Sequence, residues 1–222
     1  MIDHYDWAGG REAMLRFGPA SGPVVVAALP LFEEANRTRA FVVTILRGLA
    51  RRGIGSALPD LPGTGESLIP TADATLTGWR TAYAAAVASL GGTALSAAFR
   101  GGALIDGEAS VAGRWQLAPV EGSALVRDMM RTRLTAADGS DGDPDKGVIE
   151  LAGNVISRTL LTDLEQAEPS DGRVVRLDSD PREADLKLPG APLWRRAEPG
   201  NDPELADLIA DDIAAWVRSC VG

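Results

Sequence analysis

The stretch Gly91–Ile105, GGTALSAAFRGGALI, limits this chain to few folds. Thr93–Phe99 is a short apolar run of the kind that forms a buried strand. Arg100-Gly101-Gly102 can turn sharply, and Ala103 onward can start a helix. Strand, tight glycine turn and helix together make an elbow. In its G-x-S-x-G form such an elbow presents a nucleophilic serine at its tip. Here the five positions are Ala98, Phe99, Arg100, Gly101 and Gly102. The backbone requirement is kept, but the nucleophile's place holds an arginine. A guanidinium is always charged and has no lone pair free for attack.

The chain before the elbow alternates between strand and helix patterns. Arg11–Phe17 alternates enough for a strand. Val24–Leu29 is a continuous apolar run, as expected of a strand buried on both faces, and Pro30 ends it. The loop Leu31–Arg37 follows, dense in polar groups. In an open α/β sheet ligands bind at the carboxyl ends of strands, so Glu33, Glu34 and Asn36 are site candidates. The same residues also read as a helix entry, with Asn36 as cap and the glutamates answering the macrodipole. Phe41, Val42, Ile45, Leu46 and Leu49 then fall on one helix face, which Gly53 ends. Ile54–Leu58 is a short strand leading into Pro59–Ser67. The pair Gly63 and Gly65 lacks the third glycine of a dinucleotide fingerprint, and no lysine follows as in a P-loop. Turn chemistry explains these glycines. Leu76, Trp79, Tyr83, Val87 and Leu90 recur at helical spacing and read as core.

After the elbow, Arg114–Ala118 is another strand. Strands alternating with helices indicate a mostly parallel sheet with right-handed crossovers. The rhythm breaks over Val120–Pro169. One helical piece there carries Leu125, Met129, Met130, Arg133 and Leu134, and a second spans Val155–Leu164. We expect 120–170 to be a lid inserted in a single domain of residues 1–222. Its loop Ala137–Gly147 bears Asp138, Asp141, Asp143 and Asp145 but not the ligand order of a calcium loop, so it reads as solvated. Arg173–Leu177 resumes the sheet and Ala184–Leu188 is a last strand, with no room for a full crossover helix between them. Asp202 caps the final helix, whose buried face is Leu205, Leu208, Ile209, Ile213, Trp216 and Val217.

Composition removes several functions. A net charge of −9 from 22 basic and 31 acidic residues disfavours nucleic acid and anionic membranes. One cysteine, Cys220, permits no intrachain disulfide and suits a reducing compartment. No stretch approaches the ~20 apolar residues of a membrane span. The first residues lack the basic-then-apolar pattern of a signal peptide, so a cytoplasmic location is expected. The one histidine, His4, precedes all the core strands and reads as an exposed residue on a fraying end. A Ser-His-acid triad needs a histidine as proton shuttle. No metal site and no cofactor are expected from this set of residues.

Several stretches taken in order resemble one family. They are Pro30-Leu31-Phe32-Glu33-Glu34-Ala35-Asn36-Arg37-Thr38-Arg39, Leu58–Ser67, the elbow with Arg100, Trp115–Val120, Glu150–Gly153, and Pro192-Leu193-Trp194. The chain resembles the exosortase A system-associated hydrolases of the second type, found near bacterial exopolysaccharide and protein-sorting loci. The resemblance covers most of the chain and implies an α/β-hydrolase-like fold: a mostly parallel sheet, helices on both faces and a small helical lid. It also implies an arginine at the nucleophile place. The family's helix before Pro192 is nearly absent here. By the same resemblance the acid place after the seventh strand falls on Asp178 or Asp180. The histidine place falls in Gly190–Trp194, which contains no histidine.

Two functions follow as expectations. One is a non-catalytic protein that binds a small molecule or a protein partner at Glu33, Glu34, Asn36, Arg100, Gly101 and Trp194. The other is an enzyme with a non-standard mechanism, in which Glu33, Glu34, Asp60 and Asp180 do acid–base work and Arg100 holds an anionic group. A weaker third would use Ser67 or Ser96 as nucleophile. An unpaired guanidinium at the elbow would be costly, so Arg100 should have a carboxylate partner, with Glu33 or Glu34 the best placed. A homodimer is left open.

Overall fold

The computed structural model describes residues 1–135, 147–151 and 153–222. The strands are β1 (Ile2–Trp7), β2 (Gly10–Phe17), β3 (Val24–Ala28), β4 (Gly55–Pro59), β5 (Ala94–Phe99), β6 (Arg114–Leu117), β7 (Val148–Leu151), β8 (Asn154–Ser157), β9 (Arg173–Leu177) and β10 (Leu186–Leu188). The helices are α1 (Glu33–Arg51), α2 (Leu76–Ser89), α3 (Gly122–Thr135), α4 (Arg158–Glu165) and α5 (Pro203–Val221). Eight strands form one sheet in the order β1-β2-β4-β3-β5-β6-β9-β10. β1 and β2 are antiparallel, as are β2 and β4; every other neighbouring pair is parallel.

Side-chain alternation along the central strands feeds two separate cores. Val24, Val26 and Ala28 enter one, and Val25 and Ala27 the other. Ala94 and Ala98 likewise face the first, with Leu95, Ala97 and Phe99 facing the second. That two-sided burial is why these strands read as continuous apolar runs. The first core is closed by Trp79, Tyr83 and Val87 of α2 together with residues of α3 and α4. The second is closed by Phe41, Ile45 and Leu49 of α1 against Ile209, Ile213 and Val217 of α5. The helix starts are chemically marked. Thr75 Oγ1 accepts from Gly78 N, Ser157 Oγ from Leu160 N, and Asp202 Oδ1 from Leu205 N.

The structure departs from the sequence reading in six places, one of them Leu208, expected on the buried face of the last helix but 41% exposed. The first residues do not fray: β1 pairs with β2, placing the exposed His4 opposite Ala13 at the sheet's edge. Asn36 is not a cap, because α1 begins at Glu33 with Phe32 at its N-cap, and Asn36 lies inside the helix. The two glutamates do occupy the first turn. The elbow leads into two short 3₁₀ turns, Arg100–Leu104 and Asp106–Glu108, rather than an α-helix. A helix there would need Gly107 and the turn at Ala109 to propagate it, and glycine resists helical propagation. Val155–Ser157, read as the start of a helix, belong to the second strand of a β7–β8 hairpin, and helix begins only at Arg158. Its β-branched residues Val155 and Ile156 favour the pleated state once β7 offers a partner. Finally, the last strand is shorter than Ala184–Leu188, because only Leu186–Leu188 pair with β9. The aspartate-rich loop Ala137–Gly147 falls, apart from Gly147, outside the described residues.

Candidate functional site

β3, β5 and β6 run parallel and in register, with Ala28 beside Ala98 and Phe99 beside Leu117. Their carboxyl ends therefore deliver three loops to one level of the sheet. Each loop contains a non-glycine residue in left-handed backbone: Phe32 (φ 56°), Arg100 (φ 55°) and Ala118 (φ 46°). Such residues cost of order 1–3 kcal/mol each and cluster at functional sites. Positive φ thus belongs to the tip of the elbow itself and not to the two glycines after it. Gly102 is needed for a different reason. A Cβ there would lie 2.3 Å from the Ala28 carbonyl oxygen and 2.7 Å from that of Leu29. A Cβ on Gly101 would stand 3.2 Å from Leu31 Cγ.

The Arg100 side chain is buried, and each of its three guanidinium nitrogens has a partner. Its Nε and Nη2 donate to the two carboxylate oxygens of Glu34 at 3.2 and 3.0 Å. Its Nη1 donates to the carbonyl of Ala118 at 3.2 Å. The guanidinium also sits 4.9 Å from the ring centroid of Trp194, close enough for a cation–π contact. The fork geometry of arginine suits the two oxygens of one carboxylate, which a lysine would not match. Glu33 does not share the task. It pairs with Arg37 one turn along α1, and Arg37 Nη1 donates to the Trp194 carbonyl at 3.1 Å. Successive helix residues point about 100° apart, so only one of two adjacent glutamates can face the elbow.

The other candidates lie around this clamp with partners of their own. Asp60 accepts from Arg39 Nη2 at 3.0 Å and from the Glu66 amide at 3.1 Å. Asp180 is bound by Arg182 and Arg176, at 2.7 and 3.1 Å, and makes no hydrogen bond to Arg100. The Arg182 bonds, then those of Arg176, hold its carboxyl well below the usual carboxylate range. Ser67 has no spare valence: its hydroxyl donates to Glu12 at 3.0 Å and accepts from the amides of Gly63 and Ile69. Ser96 is fully buried within β5 and donates to Asp106 at 2.6 Å. Asp106 also accepts from Ser170 at 2.9 Å, and burial pushes its carboxyl up. Sequence patterns gave no sign of this Ser96–Asp106–Ser170 group, because its members come from three separate segments.

Open space lies to one side of the elbow. A cavity of about 550 Å³ is bounded by the end of β3, the start of α1, the loop after β4, and Trp79 and Tyr83 of α2. Asn36 and Asp60 line it; Arg100, Gly101 and Trp194 do not. A hollow of about 80 Å³ near the elbow is bounded by Glu33, Glu34, Leu125 and Met129. Leu31 and Phe32 border both spaces. Trp79, which the sequence presented as a core aromatic, and Arg39, to which it gave no separate role, are therefore cavity residues. Among the described residues, no three His, Cys, Asp or Glu side chains gather as a metal site would, and no helix is long and apolar enough to cross a membrane.

No family model and no curated protein matches the chain. Solved structures do. The ferulic-acid-bound esterase Est1E of Butyrivibrio proteoclasticus superposes with a TM-score of 0.65 at 14% identity, covering 99% of both chains. A thermophilic esterase of Thermogutta terrifontis with malate bound gives 0.58 at 14%, again covering 99% of both. An AqdC variant in complex with its substrate, the Pseudomonas quinolone signal, which it recognises and ring-cleaves, gives 0.62 at 15%, covering 99% of this chain and 100% of its own. At such identities the likeness is one of fold, and with the strand order above it makes this an α/β-hydrolase fold.

Proposed function

We propose that this α/β-hydrolase-fold chain is a non-catalytic binding protein without a Ser-His-acid triad. The observation that carries the reading is the Arg100–Glu34 clamp, which occupies the place where a nucleophile would meet its substrate. The single histidine lies in the edge strand β1, and both alternative serines are consumed by internal hydrogen bonds. We take segment 120–170 as a lid, since Leu125 of α3 lies against the elbow at Gly101. The motifs shared with the exosortase A system-associated hydrolases support a link to bacterial exopolysaccharide export or protein sorting, in the cytoplasm. A chemistry built on Glu33, Glu34, Asp60 and Asp180 has less support, because each of these carboxylates already neutralises an arginine.

A fluorophosphonate probe and a p-nitrophenyl ester series test the proposal. The folded protein should show no labelling and no turnover above a heat-denatured control. Stoichiometric labelling mapped to one serine would overturn it.

A further inference from the structure

We infer that the 550 Å³ cavity beside the elbow binds a small uncharged molecule with an apolar body and one hydrogen-bond-accepting head. This deepens the binding role proposed above and rests on it. The volume lies within the roughly 300–1,000 Å³ of ordinary small-molecule sites. The inner wall is apolar and aromatic: Leu31, Phe32, Ile69 and Trp79. The rings of Phe32 and Trp79 stand 5.7 Å apart, tilted by 59°, and so present one face and one edge to the space. Polar atoms in this wall are already used. Trp79 Nε1 donates to the Pro62 carbonyl at 2.8 Å, the Tyr83 hydroxyl donates to that of Val26 at 2.8 Å, and Ser67 is saturated. The buried Asp60 also lines the space, but it is already paired with Arg39 at 3.0 Å, so a charged group placed against this wall would find no free counter-ion, and burying it would cost more than its contacts return. The deep part therefore takes an apolar body.

The polar head is selected at the mouth. Asn36 and Glu66 are exposed there and make no side-chain hydrogen bond to the described protein. Arg39 uses one N–H on Asp60 and keeps the rest of its fork. Arg39 and Glu66 stand together there, so a cationic or an anionic head meets a like charge along with its counter-charge and gains little net attraction. A carbonyl or hydroxyl meets neither repulsion and can accept from Asn36 and Arg39. Asn36 lies within α1, where its exposed amide is available for this role.

The neutral fluorophore 6-propionyl-2-dimethylaminonaphthalene has this form and serves as the probe, with the anionic 1-anilinonaphthalene-8-sulfonate beside it. Titration of the full chain should give saturable, blue-shifted binding of the neutral dye and weaker binding of the anion. Ile69→Trp, which fills the cavity, should weaken the neutral dye at least about tenfold, and Asn36→Ala about fivefold, as loss of one hydrogen bond does. Asn36→Ala should leave the melting temperature unchanged, so it keeps the test decisive if Ile69→Trp folds poorly. Absence of saturable binding, an affinity unmoved by Asn36→Ala, or tighter binding of the anion would overturn the inference. Fluorophosphonate labelling of a serine alongside dye binding with the expected losses would overturn the non-catalytic reading and leave the cavity assignment standing.

Discussion

Arg100 and Glu34 meet through two parallel hydrogen bonds, 3.2 and 3.0 Å long, between the tip of the elbow and the first turn of α1. The two residues are 66 positions apart in the chain, and the pair ties the loop after β3 to the loop after β5. Removing one partner of such a pair leaves the other charge short of solvation, at a cost of about 3 kcal/mol. Arg100→Met should lower stability by about that amount, and Glu34→Gln by less. In the double variant the losses should fall well short of their sum. Denaturant unfolding of the four proteins measures the coupling. Additive losses would mean that the clamp is not a unit.

Gly102→Val places a branched side chain where a Cβ alone would lie 2.3 Å from the Ala28 carbonyl oxygen. That atom is backbone of a central strand and cannot swing away. Loss of more than about 4 kcal/mol is expected, enough to unfold many single domains. Circular dichroism and a melting curve would check it; an unchanged melting temperature would remove the close approach from the account.

Phe32 holds φ 56° and ψ −128°, a backbone conformation that favours glycine. In ordinary positions glycine is less stable than alanine by about 0.5–1 kcal/mol. At residue 32 the order should reverse, with Phe32→Gly more stable than Phe32→Ala by about 1 kcal/mol. Both variants lose the ring contact with Trp79, so their difference isolates the backbone. Equal or reversed stabilities from chemical denaturation would argue that the turn relaxes without strain.

Asp180 gives a pH signature. Its carboxyl is held below the usual range, chiefly by the hydrogen bond from Arg182. A depressed folded-state pKa contributes stability that is present above the unfolded value, about 3.9 for aspartate, and is lost as pH falls towards the folded one. Asp180→Asn should therefore destabilise the protein by about 1 kcal/mol at pH 7. The gap to the parent should narrow below about pH 4. Parallel melting curves from pH 7 down to pH 3 would measure it, and a gap independent of pH would refute the assignment.

The loop after β3 is legible in part from its residues. The run PVVVAALP reads as a strand buried on both faces, and the glutamates after it read equally as a polar site loop or as a helix entry. Which glutamate would meet Arg100 was not legible, because a shift of one residue in the start of α1 rotates each side chain by about 100°. The helix starts at the left-handed turn of Phe32, whose ring packs against Trp79, 47 positions on. The hairpin β7–β8 was missed for a related reason. A four-residue strand carries too little periodicity to be told from helix until its partner is in place.

By itself the sequence determined the alternation of strands and helices, the parallel core, the elbow and its arginine, and the need of that arginine for a carboxylate. These follow from local rules: apolar period, turn chemistry and the cost of an unpaired buried charge. The tertiary structure alone decided that Glu34 would be the partner, that Ser67 and Ser96 would be silenced by hydrogen bonds, and that open space would lie beside the elbow rather than at it. Those outcomes depend on distances between segments far apart in the chain. Such distances are fixed only when the two cores close on the sheet and each side chain takes the one position that packing leaves it.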